Sequence, residues 1–150
     1  TFRPNLFTEI FTNVANSGIN ITIHAGEGDN VDSIQDALEN GAQRIGHGVR
    51  IIEDIDLVNN KFGKTAAYIL DNEIPLEVCI TSNLHTNMYE NAENHPISKL
   101  VELGFQVSLN TDNRLMSNTS IDKEIQVAKQ SGVIDPEALL VKSAGYSFLS

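Results

Sequence analysis

Three segments of the chain place titratable side chains at spacings that suit proton transfer or metal binding. His24 and Glu27 stand three residues apart in a His-Ala-Gly-Glu segment, and His47 lies between two glycines. Further along, Asp112 occurs in an Asn-Thr-Asp-Asn segment. Imidazole and carboxylate groups act as general acids and bases, and both are ligands for metals such as zinc. Together these residue types predict a metal site or an acid–base site.

Each of these residues also has a simpler interpretation when it is considered alone. A single His at the end of a strand is more often a hydrogen-bonded structural group than a ligand. Asp112 is a suitable helix N-cap, Glu27 is a suitable solvated loop carboxylate, and Gly26 suits a tight turn. The functional interpretation gains weight because several such residues follow strand-like segments of the same chain.

Four short apolar segments rich in β-branched residues predict buried parallel strands. They comprise residues 19–24, 42–47, 75–80 and 105–110. Helical spacing of apolar residues and capping signals predict helices around these segments. The predicted helices cover residues 9–16, 31–38, 55–70, 96–104, 121–128 and 136–144. The expected cap of the fifth helix is Ser120 or Thr119, and that of the last is Asp135.

This alternation predicts an α/β fold in which residues 1–150 form a single domain of four β/α units followed by a helical tail. A closed (β/α)8 barrel needs eight such units and about 250 residues, so four units correspond to half a barrel. An open, doubly wound sheet of four strands fits the same periodicity. In either fold the carboxyl ends of parallel strands lie at one edge, where α/β proteins bind their ligands. We therefore expect the titratable side chains to lie at that edge.

Composition and charge restrict the classes of partner. Twenty Asp and Glu residues against ten Lys and Arg residues give a formal net charge of −10, which opposes binding to nucleic acids and anionic membranes. No apolar segment approaches the roughly 20 residues of a membrane helix. Cys79 is the sole cysteine, which excludes an internal disulfide and a Cys-rich zinc site. The chain starts at Thr1 rather than Met, so we expect it to be processed or excised from a longer protein. The expected location is the cytoplasm.

Five segments follow one another in a specific order. They are His24-Ala-Gly-Glu27, Arg44-Ile-Gly-His47-Gly48, Glu77-Val-Cys-Ile-Thr-Ser-Asn83, His95-Pro96 and Leu109-Asn-Thr-Asp112. This series resembles the motif series of the adenosine deaminase family, within the metal-dependent hydrolase barrels. The resemblance covers nearly the whole chain. It implies the C-terminal half of a (β/α)8 TIM barrel, namely its last four β/α units, with the N-terminal half absent.

The resemblance also implies a reaction and a role for each matching residue. His24 and Asp112 are implied ligands of one Zn²⁺ ion. Glu27 is the implied proton donor to the purine ring, and His47 is implied to orient the attacking hydroxide and to carry its proton. The implied reaction is hydrolytic deamination of adenosine or deoxyadenosine to inosine or deoxyinosine plus ammonia. A purine nucleoside is therefore the implied substrate.

Further residues near these motifs have secondary implied roles. Gly26 and Asn113 are implied substrate contacts. Ser82 and Asn83 are expected to contact either the substrate or the side chains that themselves contact the substrate or the metal. Asn113 departs from the family pattern, which has a second Asp here. An Asn amide still donates to an acceptor nitrogen of a purine. Structural roles are expected for His85, His95 and Cys79.

The family's first strand carries a His-x-His pair of zinc ligands, and this chain contains no such pair. His24 and Asp112 alone fall short of the three protein ligands of a catalytic zinc, so we expect the isolated chain to be inactive. The unpaired strand edges of a half-barrel predict self-association or binding to the missing N-terminal half. A deaminase of a related 6-aminopurine and a non-catalytic oligomerising or ligand-binding α/β module are the alternatives.

Overall fold

The structure, a computed structural model, describes residues 3–149, in which short strands alternate with helices. The strands are β1 (Thr22–Ala25), β2 (Arg44–His47), β3 (Ile55–Asp56), β4 (Lys61–Phe62), β5 (Leu76–Val78) and β6 (Val107–Leu109). The helices are α1 (Thr8–Asn16), α2 (Val31–Glu39), α3 (Lys64–Asp71), α4 (Ile80–His85), α5 (Ile97–Glu102), α6 (Arg114–Ser117), α7 (Ile121–Gln130) and α8 (Pro136–Gly145). Short 3-10 helices cover Pro4–Phe7, Val49–Asp54 and Ala92–Asn94.

Two compact units divide the chain, and the boundary falls after Leu76, inside β5. Each unit combines strands with helices, which confirms the predicted α/β class. The single-domain organisation expected from the sequence stays a prediction. Over residues 3–149, no helix has the combination of length and apolar character that crossing a membrane requires.

In the first unit, β1 and β2 are parallel neighbours, as their β-branched residues predict. His24 of β1 is paired with Gly46 of β2 in this register. Ile45 of β2 also donates its N–H to the carbonyl of Pro75, directly before β5, at 2.9 Å. Ile45 is fully buried, and Ile23 of β1 is 7% exposed. Parallel pairing places the carboxyl ends of β1 and β2 side by side.

Helix α2 forms where it is predicted because its start is capped and one face is apolar. The Asn30 side chain accepts a hydrogen bond from the N–H two residues later at 3.1 Å. Ile34 and Ala37 are fully buried on the face that packs against β1. The helix also fixes the loop after β1, because Ser33 Oγ accepts a hydrogen bond from the Gly26 N–H at 2.9 Å.

The predicted helix over residues 55–70 is wrong in its first half. β3 and β4 form an antiparallel hairpin there, in which Ile55 is paired with Phe62. The Asp56 carboxylate accepts hydrogen bonds from the N–H groups two and three residues later, both at 3.1 Å, and these local bonds turn the chain. Asn60 then has a φ of 51°, a left-handed conformation that a helix interior does not contain.

Helix α3 begins only after Gly63, because its cap comes from a side chain ten residues upstream of the first turn. Asp54 Oδ2 accepts hydrogen bonds from the N–H groups of Thr65 and Ala66 at 3.0 and 2.9 Å. Such first-turn donors have no partner within the helix itself. A Cβ at Gly63 would overlap the Asp54 carboxylate, so this cap depends on glycine at that position.

In the second unit, β6 lies beside the end of β5, where the Asn110 N–H donates to the Val78 carbonyl at 2.8 Å. Helix α8 packs on β6 and buries Leu139. Helices α7 and α8 begin where they are predicted, because Ser120 and Asp135 each accept the N–H three residues later. Of the two caps considered for α7, the structure therefore selects Ser120.

The predicted strand at residues 75–80 is too long at its carboxyl end. Helix α4 starts where the strand is expected to finish, so Ser82 and Asn83 lie on a helix and not on a strand-end loop. The cause is a contact that is distant in sequence. The Thr81 N–H, in the first turn of α4, donates to the Glu124 carboxylate at 3.3 Å, across 43 positions of the chain. No local pattern in the sequence indicates such a partner.

Candidate active site

The carboxyl ends of β1 and β2 bring three of the predicted site residues together in the first unit. The rings of His24 and His47 have centroids 5.1 Å apart. Glu27 Oε2 lies 3.5 Å from His47 Nε2. We call these three side chains the His–Glu cluster. It combines an exposed imidazole, a buried imidazole and a half-buried carboxylate.

A glycine on the neighbouring strand sets the position of the His24 ring. A Cβ at Gly46 would lie 3.1 Å from His24 Nδ1, closer than about nine in ten real Cβ contacts. The ring therefore lies against the backbone of β2, with Nδ1 towards Gly46 and Nε2 on the opposite edge. A larger residue at Gly46 would displace the imidazole from this position.

His47 has a left-handed backbone, with a φ of 63°, and only 1% of its surface is exposed. This conformation costs a non-glycine residue about 1–3 kcal/mol, and such residues cluster at functional sites. Gly48 continues the turn with a φ of 67°, where a Cβ would lie 2.7 Å from Leu76 Cδ2. The Gly-His-Gly motif thus makes a tight turn that holds the imidazole beside Glu27.

The loop that carries Glu27 is fixed through its main chain. Arg50 Nε donates to the Glu27 carbonyl at 3.0 Å, and the Arg50 N–H donates to the Gly26 carbonyl at 3.2 Å. Gly26 has a φ of 66°, and a Cβ there would overlap the buried Ile34 side chain. These contacts determine where the Glu27 side chain leaves the backbone, and they leave its carboxylate 23% exposed.

A cavity of about 180 Å³ lies against the His–Glu cluster, and its lining includes His24, Gly26, Glu27 and Arg3. The guanidinium of Arg3 forms an ion pair with Asp36 at 2.7 Å. A carboxyl group at a cavity, with an imidazole behind it, can donate a proton to a molecule bound there and accept one from it. The arrangement is therefore suited to acid–base chemistry.

In the second unit, Asp112 follows β6 and is hydrogen-bonded to the first residues of α4. Ser82 Oγ donates to Asp112 Oδ2 at 2.8 Å. We call these two residues the Ser–Asp pair. Asp112 is exposed and has a φ of 54°, whereas Ser82 is 6% exposed. Asp112 therefore resembles His47 in having a left-handed backbone without being glycine.

Asn113, a predicted substrate contact, is the N-cap of α6. Its Oδ1 accepts hydrogen bonds from the N–H groups of Leu115 and Met116, both at 3.1 Å. The capping role considered for Asp112 thus belongs to the next residue. Because Oδ1 is occupied by these two donors, Nδ2 is the atom of Asn113 that remains to donate to a ligand.

Asn83 is fully buried in a separate network with His95. The Ile97 N–H donates to His95 Nδ1 at 3.2 Å, so the neutral ring carries its proton on Nε2. His95 Nε2 then donates to Asn83 Oδ1 at 3.2 Å, and Tyr89 packs edge-on against the ring with centroids 4.9 Å apart. Asn83 accordingly connects α4 to the start of α5, and His95 has the structural role that the sequence predicts.

Arg50 and Glu124 contact the predicted site residues or their immediate neighbours, and the sequence does not identify either of them. Arg50 interrupts an apolar segment directly after the Gly-His-Gly motif. Glu124 stands four residues before Ala128, on the helix face that is predicted to be buried. A charged residue within an apolar pattern is the signal by which both could have been found.

Among residues 3–149, no three His, Cys, Asp or Glu side chains are grouped closely enough to hold a metal ion. The predicted zinc ligands His24 and Asp112 are both exposed. Their donor atoms, an imidazole nitrogen and a carboxylate oxygen, are of the kinds that zinc binds. The Ser82 hydroxyl on Asp112 also fits, because carboxylates that bind metals are usually hydrogen-bonded in turn.

The adenosine deaminase family model matches residues 1–142 of the chain. Among curated relatives, adenosine deaminase 1 of Streptomyces coelicolor is 43% identical over 129 residues, which make up 83% of this chain and 33% of that protein. The chain therefore spans about a third of the length of this relative. The relationship confirms the resemblance seen in the motif series.

Solved structures show the same fold. Adenine deaminase from Arthrobacter aurescens, at 25% identity, gives a TM-score of 0.85 over 99% of this chain and 44% of its own. An amidohydrolase from Burkholderia ambifaria with bound Zn, at 20% identity, gives 0.82 over 99% of this chain and 41% of its own. These likenesses confirm the prediction of an α/β chain that forms part of a larger TIM-barrel fold.

Proposed function

The chain belongs to the adenosine deaminase family, and we propose that the protein of which it is part hydrolyses the 6-amino group of adenosine or deoxyadenosine. The products are inosine or deoxyinosine and ammonia. The observation that carries this proposal is the contact between Glu27 and His47, in which a carboxyl group and an imidazole stand 3.5 Å apart. Exchange of an amino group for an oxygen needs one group that donates a proton and another that accepts one.

In the proposed reaction, Glu27 donates a proton to the ring nitrogen next to C6, which makes C6 more electrophilic. His47 orients the attacking water and takes one of its protons. The C6–O bond forms, and the C6–N bond then breaks. The proton of the new hydroxyl returns to Glu27, and the proton held by His47 leaves with the amino group as ammonia.

We propose that His24 and Asp112 are ligands of a zinc ion, which when bound acts as a Lewis acid towards the attacking water. The donor types of both residues and the Ser82 hydrogen bond on Asp112 support this assignment. Since two ligands are fewer than a catalytic zinc requires, the remaining ligands must come from sequence outside this chain. The chain alone is therefore proposed to be inactive.

Gly26 and Asn113 are the proposed substrate contacts. Gly26 lines the cavity beside the His–Glu cluster and presents only backbone there. Asn113 offers its Nδ2 as a donor, because its Oδ1 caps α6. Ser82 orients Asp112 through its hydrogen bond. Asn83 is fully buried and holds α4 in place through its hydrogen bond with His95.

The proposed setting of the reaction is the cytoplasm, with a purine nucleoside as the small-molecule partner. A formal net charge of −10 supports the absence of nucleic-acid and membrane partners. An isolated chain of this length is proposed to associate with itself or with the remainder of its protein, because the edges of its parallel strands invite pairing.

A related 6-aminopurine is the second candidate substrate, since the Arthrobacter aurescens neighbour is an adenine deaminase. The chemistry at C6 is the same for adenine and adenosine, so the His–Glu cluster suits both. The two candidates differ only in whether the protein contacts a ribose. Turnover of adenosine, deoxyadenosine and adenine by the complete protein separates them.

The test uses the complete protein and its Glu27→Gln variant, with Glu53→Gln as the matched control. Glu53 pairs with Arg50 at 2.6 Å on the neighbouring segment but lies outside the His–Glu cluster. Loss of the proton donor is expected to lower kcat by about 10²–10⁴-fold, with the zinc content unchanged, whereas the control stays within about twofold. Full activity in Glu27→Gln would remove Glu27 from the mechanism.

A further inference from the structure

Glu124 of α7 is a fully buried carboxylate that the proposed reaction does not use. Glutamate is almost never fully buried unless its charge is paired or hydrogen-bonded. Here the two oxygens have separate partners. Oε2 accepts a hydrogen bond from the Thr81 N–H at 3.3 Å, and Oε1 accepts one from Thr119 Oγ1 at 2.8 Å.

These two partners lie on segments that adjoin the Ser–Asp pair. Thr81 directly precedes Ser82, and its N–H belongs to the first turn of α4, where donors have no partner within the helix. Thr119 lies between α6 and α7, a few residues after Asp112. The Glu124 side chain therefore links the backbone next to Ser82 to the segment that follows Asp112.

Packing alone does not explain a carboxylate at this position. An apolar residue of similar volume would fill the same space, and replacing buried charged groups with well-packed apolar residues is often neutral or stabilising. What an apolar residue does not supply is an acceptor for the Thr81 N–H. The selective contribution of Glu124 is thus to fix the first turn of α4.

We propose that Glu124 is a positioning residue for the Ser–Asp pair: it holds the first turn of α4 so that Ser82 Oγ stays hydrogen-bonded to Asp112 Oδ2. Its effect on turnover passes through Ser82, and in that respect it rests on the proposed function. The effect on the backbone of α4 is independent of any reaction. Loss of the acceptor frees the Thr81 N–H and lets the Ser82 hydroxyl move away from Asp112.

The first experiment compares Glu124→Leu, which removes both acceptors, with Glu124→Gln, whose amide oxygen still accepts from the Thr81 N–H. Both are made in the complete protein, with exposed Glu137→Gln on α8 as the control. Glu124→Leu is expected to lower kcat by about tenfold, the lower end of the range found when partners of metal ligands are removed, with KM nearly constant. Glu124→Gln is expected to restore most of that loss.

A double-mutant cycle with Ser82→Ala tests the route of the effect. If Glu124 acts through Ser82, Glu124→Leu lowers kcat by less than about twofold further once Ser82 is alanine. Equal losses in both backgrounds, or equal losses in Glu124→Leu and Glu124→Gln, would overturn the proposal. Should Glu124→Leu fail to fold, Glu124→Asp, which is too short to reach both partners, replaces it in the cycle with the same criterion.

Amide exchange over residues 79–86 gives a readout that needs no activity. Faster exchange at Thr81 in Glu124→Leu but not in Glu124→Gln is the expected result, and unchanged exchange in both contradicts the proposal. If the unmodified complete protein deaminates no 6-aminopurine, the proposed function fails, while the exchange comparison still decides whether Glu124 holds α4. The two failures are therefore distinguishable.

Discussion

The His–Glu cluster and the Ser–Asp pair are held in place by different means. In the first, backbone geometry dominates: His24 lies on Gly46, and His47 turns at a φ of 63° before Gly48. In the second, side chains dominate. The Ser82 hydroxyl donates a hydrogen bond to Asp112, and the Glu124 carboxylate accepts one from the Thr81 N–H in the first turn of α4. The contacts of the second region reach further along the chain, because Ser82–Asp112 and Thr81–Glu124 are 30 and 43 positions apart, against 23 for Arg50 and Glu27.

This difference determines which substitutions each region tolerates. At a glycine turn, the penalty comes from adding atoms where backbone and neighbours leave no room. In a buried hydrogen-bond network, the penalty comes from removing one partner, because the other then stays unsatisfied away from water. Added atoms should therefore disturb the His–Glu cluster, and deleted polar groups should disturb the surroundings of the Ser–Asp pair.

The largest expected effect follows from His95→Ala in the second unit. The change removes a ring that is 2% exposed and leaves Asn83 Oδ1 and the Ile97 N–H without this partner. We expect the free energy of unfolding of the complete protein to fall by about 3 kcal/mol. The control is His85→Ala, an exposed histidine at the end of α4. Equal losses in both variants, measured by denaturant unfolding, would show that the network adds no stability.

Gly48→Ala tests the first unit in the opposite way, by adding one methyl group. Its Cβ would lie 2.7 Å from Leu76 Cδ2 at a φ of 67°. We expect a loss of about 2 kcal/mol from strain and overlap together. Gly18→Ala is the matched control, since Gly18 has a φ of 71° but nothing within 4 Å of the added atom. The difference between the two melting temperatures measures the overlap alone, and no difference contradicts the packing argument.

The same contrast explains how much of the structure the sequence predicts. The caps at Ser120 and Asp135 follow from local motifs, and each is found where the motif indicates. The strand before α4 is shorter than predicted because the Thr81 N–H is bound by Glu124, 43 positions later. A pattern read over a dozen residues contains no information on such a partner.

The hairpin of β3 and β4 is a different kind of error, because its cause is local. Ile55 and Phe62 have a spacing compatible with a helix, and that spacing outweighed the turn signals between them. Asp56 and Asn59 favour a turn through side-chain hydrogen bonds, and Asn60 adopts the left-handed conformation that asparagine tolerates. Greater weight on these residues would have placed the hairpin correctly, whereas the local pattern marks Glu124 as a charge on a buried face but does not identify Thr81 as its partner.

A smaller effect is expected from Ser82→Ala, which removes the hydroxyl from the Ser–Asp pair and leaves the helix intact. In the complete protein we expect kcat to fall by about tenfold, through a less well oriented Asp112, and the melting temperature to change little. Ser98→Ala on α5 is the control, a partly exposed serine of the same unit. A loss of stability without a loss of kcat would show that Ser82 contributes to folding and not to the orientation of Asp112.

The smallest expected effect concerns Asp56, whose hydrogen bonds are local and exposed. The Asn59 side chain, and then the backbone N–H groups of Asn59 and Val58, lower the pKa of the Asp56 carboxyl below its usual value. The stabilisation is therefore present above the ordinary aspartate pKa of about 3.9 and is lost as the pH falls through the lowered value.

Asn59→Ala removes the largest of these contributions and should raise the pKa of Asp56 towards the usual value, as measured by NMR titration of the carboxyl carbon. The melting temperature should fall slightly at neutral pH, and the difference from the unmodified protein should vanish in strong acid. An unchanged pKa would mean that the backbone donors alone hold the turn. In either case the effect stays well below that of His95→Ala, because Asp56 is exposed and water replaces its lost partner, whereas Asn83 is fully buried.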